Sequence, residues 1–220
     1  ISIVIDEVNA AAAQVEFRTD GSSCMPWNYL ELSDVLCGAY KPLYDKYDFL
    51  TPLDSNIKPL IISPLMTYTH ISGVYTFFTG EANLNTNYPD YVCAYSAAHE
   101  LAHQRGIARE DEANFIAFLV CTGAEDPYLR YSGYLSMYSY LASALYRADP
   151  ALHEQAVSAL DDSVRGELTA YSVFFDKYRE NVASKVSDTV NNTYLQSQGT
   201  AGSVSYGMVV DLAVAYYLDK

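Results

Sequence analysis

With 220 residues, 50% of them hydrophobic, the chain is long enough to bury a sizeable core and too apolar to be disordered. Its net charge of −14 argues against nucleic acid, whose phosphates need a basic surface, and equally against an anionic lipid surface. No apolar run of about 18 residues is present to cross a bilayer, and no phosphate-binding glycine loop or nucleophile elbow occurs.

The chain opens Ile1-Ser2-Ile3, without an initiator Met or a signal peptide. It reads as an excised fragment, with a membrane anchor, if there is one, left out. Ile3 to Arg18 is Ala-rich, with Val4, Val8, Ala11 and Val15 on one stripe, and predicts a helix. Thr19 to Met25 is a loop. Pro26, tolerated in a first turn, opens a second helix to about Tyr47, lined by Leu30, Leu32, Val35, Tyr40 and Leu43. Cys24 and Cys37 would pair only in an oxidising compartment, which the sequence does not establish.

From Asp48 to Tyr88 the texture changes. Three short β-prone stretches, 58–63, 73–78 and 80–85, predict a small sheet. His70, in the same region, reads as a surface or turn residue, with contact to substrate as the alternative. Tyr91 to Gln104 predicts a helix with Val92, Tyr95, Ala98 and Ala102 on its apolar face, ended by Gly106. Arg109-Glu110-Asp111-Glu112 then opens a helix over Ala113 to Cys121, with acidic residues where the helix dipole favours them. Cys93 and Cys121, on these two helices, read as small core residues.

Beyond Asp126-Pro127 the chain is helical. The first helix runs from Tyr128 to Arg147, and its tyrosine stripe reads as core with polar tips. Pro150 to Leu160 is a short helix whose His153 reads as solvated. Ser163 to about Tyr194 predicts a long helix, Gln196 to Val204 a loop, and Ser205 to Leu218 an apolar closing helix. The whole is one predominantly α-helical α+β domain over residues 1–220. Its parts are N-terminal helices (1–47), a small sheet (48–88), motif helices (89–122) and C-terminal helices (123–220).

The chemistry concentrates in His99-Glu100-Leu101-Ala102-His103. Histidines four apart on a helix lie on one face, one turn apart, so both imidazoles can reach one metal ion. Glu100 beside them is placed to take a proton from a metal-bound water. The stretch through Gly106 fits HExxHxxG, but the third histidine expected after it is Arg109, which cannot bind a cation. Glu110 can. The segment Glu110-Asp111-Glu112-Ala113-Asn114 resembles the third-ligand helix of gluzincins, with Glu110 as ligand, Asn114 holding a ligand histidine, and Glu112 as the competing ligand.

Residues 99–121, HELAHQRGIAREDEANFIAFLVC, resemble the uncharacterised bacterial family catalogued as domain of unknown function 3810. TGEANLN (79–85) and RYSGYL (130–135) are similar to it as well, and the likeness spans about 55 to 218. The resemblance implies a zincin-like domain anchored in the bacterial membrane by preceding helices and facing outward. It supplies no substrate.

The reading that results is a gluzincin-type zinc metallopeptidase. One Zn²⁺ is held by His99, His103 and Glu110, with Glu100 as general base and a peptide or protein as substrate. With 21 tyrosines in the chain, no single oxyanion donor can be named. The substrate strand is expected at Ala82, Asn83, Leu84 and Asn85, as a sheet edge over the metal. The alternative is a catalytically idle zincin-like module that binds or senses outside the cell.

Overall fold

The computed structural model describes residues 1–179 and 205–218. At its centre lies α4 (Asp90–Gln104), most of whose residues are buried. Ala94, Ala97, Ala98 and Ala102 give it a small-residue surface, so its neighbours approach closely on several sides. Against it pack α5 (Glu110–Gly123) and α6 (Pro127–Ala148). Asp126 caps α6 by accepting from the Tyr128 and Leu129 N–H groups, with Pro127 in the first turn.

The N-terminal helix α1 (Ser2–Ala12) packs on α6. It is shorter than the alanine stripe suggests. Gly21 at φ +88° turns the chain into a small hairpin with a Phe17–Ser23 bridge, and this draws Val15 and Phe17 out of the helix. The second helix, α2 (Tyr29–Lys46), starts three residues past the expected Pro26. Asn28 and Glu31 form a capping box there.

The sheet is real and small. It comprises β1 (Lys58–Pro59), β2 (Gly73–Thr76) and β3 (Glu81–Leu84), in the order β1-β3-β2. β3 pairs parallel with β1 and antiparallel with β2. Between β1 and β2 lie a short helix, α3 (Ser63–Met66), and a 3-10 turn over Thr67–Thr69. Ala82 and Leu84 are fully buried, and β3 and β2 both lie against α4.

Among the described residues the remaining helices are α7 (Pro150–Ser158), α8 (Asp162–Asp176) and α9 (Ser205–Leu218). α9 packs on α5 and α6. α8 ends at Asp176, well short of the expected Tyr194. Positions 180–194 of that helix and the loop at 196–204 lie outside the described residues. All four cysteines are free, with Cys93 and Cys121 buried in the core. No helix among the described residues is long and apolar enough to cross a membrane.

One core feature has no sequence signal. Arg105, just past α4, is fully buried. Its guanidinium lies 4.1 Å over the Tyr40 ring and donates to Tyr44 Oη (2.8 Å) and to the carbonyls of Leu53 (2.7 Å) and Leu101 (3.1 Å). It ties the C-terminal end of α4, where a cation suits the helix dipole, to the chain leading into the sheet.

Candidate metal centre

His99 and His103 face the same way from α4, as their spacing requires. Gly106 then adopts φ +102°, a left-handed conformation open to glycine, and the chain reverses into α5. The first residue of α5 is Glu110, and the reversal brings its carboxylate onto the histidine pair. Glu110 Oε2 is 3.1 Å from His99 Nε2, and its Oε1 is 3.6 Å from His103 Nε2. The two Nε2 atoms are 2.9 Å apart.

The other nitrogen of each ring is committed elsewhere. His103 Nδ1 donates to the Ile107 carbonyl at 2.7 Å. His99 Nδ1 donates to Asn114 Oδ1 at 3.1 Å. The Asn114 amide is oriented by its Nδ2, which donates to the Glu110 carbonyl at 2.9 Å, so Oδ1 is the atom that meets His99. With protons on both Nδ1 atoms, both Nε2 atoms present lone pairs. With both rings neutral, two lone pairs and a carboxylate at these distances repel one another; a cation relieves this, whether a metal ion or a proton on one imidazole, which then donates to Glu110.

The spacing suits a metal. Tetrahedral zinc with ligand bonds of about 2.0–2.1 Å sets neighbouring ligand atoms about 3.3 Å apart. The His99–His103 separation of 2.9 Å and the nearest Glu110 oxygen of each histidine, Oε2 at 3.1 Å for His99 and Oε1 at 3.6 Å for His103, lie on either side of that value. His99, His103 and Glu110 can hold a metal ion.

The electrostatics follow from this arrangement. Burial would raise the Glu110 carboxyl, but hydrogen bonds and charge from the two histidines outweigh it and hold it well below the usual carboxylate range. Burial would lower His103, yet the Glu110 and Glu100 carboxylates raise it. Glu100 is itself buried, and burial pushes it above its ordinary value. His99, His103 and main-chain hydrogen bonding from Tyr75 offset part of that rise.

Glu100 lies against β2, close enough to His99, His103 and Glu110 to feel their charge. Tyr75 of β2 stacks on His103, with ring centroids 6.2 Å apart and planes 20° apart. Glu112, the competing ligand, lies instead near Arg109, with 3.4 Å between Oε1 and Nε, and is half exposed. Arg109 also pairs with the buried Asp111 at 2.7 Å. His70 does not join the site. It is in the left-handed region at φ 61°, and its Nε2 meets the Tyr178 carbonyl at 2.7 Å. His153 packs against Tyr146.

The expectation of an edge strand at Ala82, Asn83, Leu84 and Asn85 is corrected. β3 is the central strand, flanked by β1 at Asn83 and Leu84 and by β2 along its length. Its Leu84 carbonyl accepts from Leu60 N–H, and Asn85 N–H donates to the Ser72 carbonyl. Asn83 Nδ2 donates to Val74, Thr76 and Glu81, and the buried Asn85 donates to Ile71 and Thr67. Pairing on both edges makes this the inner strand, and its Ala82 and Leu84 fill the core. The outer strand beside the site is β2.

Sequence reasoning missed three neighbours. Tyr140, on α6, donates to Asn114 Oδ1 at 3.1 Å, and Tyr95 donates to the Asn114 carbonyl at 2.6 Å. No local pattern separates these two from the chain's other tyrosines. Gly73 did carry a signal, because a glycine inside a strand marks a bulge or a close approach.

Residues 1–214 match the family described as a protein of unknown function (DUF3810). The match reaches further toward the N-terminus than the 55–218 span legible in the sequence. No curated protein and no solved structure matches the chain.

Proposed function

We propose that this chain, which belongs to the DUF3810 family of unknown function, is a zinc-dependent peptide hydrolase of zincin-like, gluzincin type. The observation that carries the reading is a division of labour between two glutamates. Glu110 converges with both imidazoles, while Glu100, one residue from His99 and buried, stands outside the metal-capable group. A site that only held a metal has no use for a buried carboxylate kept beside it.

Two imidazoles and one carboxylate are a zinc donor set of the kind that leaves a fourth position open. Zinc held there would act as a Lewis acid and lower the pKa of water toward about 7. The protein supplies the rest. Asn114 and the Ile107 carbonyl fix the tautomers of His99 and His103. Glu100 accepts the proton of the attacking water and returns it to the leaving amine. In this reading an extended peptide lies along β2, not β3. We also place the domain on the outer face of a bacterial membrane, which protease accessibility in intact cells would check.

Emission spectroscopy on the purified protein should find close to one zinc, lost in His103→Ala. A mixed peptide library should be cleaved by the wild type and not by Glu100→Gln, which should keep its zinc. Absence of metal, together with no rise in melting temperature on adding zinc, would remove the reading. Zinc without any cleavage would favour the idle binding module instead.

A further inference from the structure

β2 carries a glycine that its backbone does not need. Gly73 is not among the residues with positive φ. Glycine weakens a strand, so its presence points to a bulge or a close approach. There is no bulge, since the β2–β3 register runs unbroken from Gly73↔Leu84 to Thr76↔Glu81. The close approach is to Glu100. A Cβ at position 73 would stand 2.6 Å from Glu100 Cγ and 2.8 Å from Cδ, closer than real Cβ contacts come. The three nearest atoms all belong to that one side chain.

The rest of the strand agrees. Alternation puts Tyr75 on the same face as Gly73, and Tyr75 stacks on His103. Val74, between them, is partly exposed.

We infer that Gly73 is a positioning residue for Glu100: the side chain it lacks forms the slot in which the carboxylate lies, beside the ligand group and not within it. The catalytic consequence rests on the hydrolase reading above, but the placement does not.

A stability cycle tests the placement with or without zinc. Gly73→Ala should lower the melting temperature by about 3 °C or more in the wild type. In a Glu100→Ala background the same change should be neutral or stabilising, because alanine loses less conformational freedom than glycine once the obstruction is gone. Val74→Ala should show no such dependence on Glu100. An equal loss for Gly73→Ala in both backgrounds, or no loss in either, overturns the inference.

Kinetics test the role. On a peptide cleaved by the wild type, Gly73→Ala should reduce kcat about 100-fold, the scale of a small misplacement of a reacting group, with KM and zinc content unchanged. Unchanged kcat would refute the positioning role even if stability fell. A wild type that cleaves nothing refutes the hydrolase reading, and the stability cycle still decides where Glu100 is held.

Discussion

Asn114 Oδ1 accepts the Nδ1 proton of His99 at 3.1 Å, and the same amide donates through Nδ2 to the Glu110 carbonyl at 2.9 Å. One side chain thus sets the tautomer of one candidate ligand and ties itself to the backbone of another. Tyr140 donates to the same Oδ1 and steadies it from α6.

Metal affinity should report that relationship. Asn114→Ala should weaken zinc binding about 10- to 100-fold, the usual cost of losing a partner that orients a ligand histidine. Glu110→Gln should weaken it more, and Glu112→Gln should leave it nearly unchanged, since Glu112 faces Arg109. Competition with a chromophoric chelator measures all three. A larger loss for Glu112→Gln than for Glu110→Gln would contradict the geometry.

Arg105 predicts a stability effect remote from chemistry. Its guanidinium is buried and satisfied by Tyr44, Leu53, Leu101 and the Tyr40 ring, with no carboxylate pairing with it among the described residues. Arg105→Leu strands those acceptors and should cost about 3 kcal/mol. Arg105→Lys should also destabilise, because a point charge cannot reach three acceptors in a planar fork. Urea denaturation followed by circular dichroism reads both. A loss under about 0.5 kcal/mol in either would show that the network contributes little.

Glu167, on α8, gives a pH dependence with a definite sign. It is fully buried, and its Oε2 accepts from Ser23 N–H (2.7 Å) and Tyr131 Oη (3.2 Å). Its Oε1 has no partner among the described residues. Burial raises its carboxyl above the ordinary value of 4.5, and the bonds from Ser23 and Tyr131 only partly offset this. The folded state therefore holds the proton to higher pH than the unfolded state. This group's contribution to stability is present below the unfolded value and is lost as pH rises toward the folded one. Denaturation followed as pH rises from the ordinary value of 4.5 should show that decline, and Glu167→Gln should flatten it. A slope unchanged in Glu167→Gln would assign the dependence to other groups.

What the sequence determined by itself was local. The facing of His99 and His103 follows from helical spacing, the reversal from Gly106, and the start of α6 from Asp126; each acts over a few residues. The group of His99, His103 and Glu110 was legible for the same reason, because the turn between α4 and α5 is too short to carry Glu110 elsewhere. The rank of β3 in its sheet was decided only in three dimensions. Three short strands of similar composition do not say which is central, and that depended on β1 pairing with β3 across more than twenty residues of chain. The same holds for Tyr140 reaching Asn114 from α6, for Arg105 finding the Leu53 carbonyl 52 residues upstream, and for Gly73 making room for Glu100. These depend on where distant segments pack, and neither spacing nor composition within any one segment encodes that.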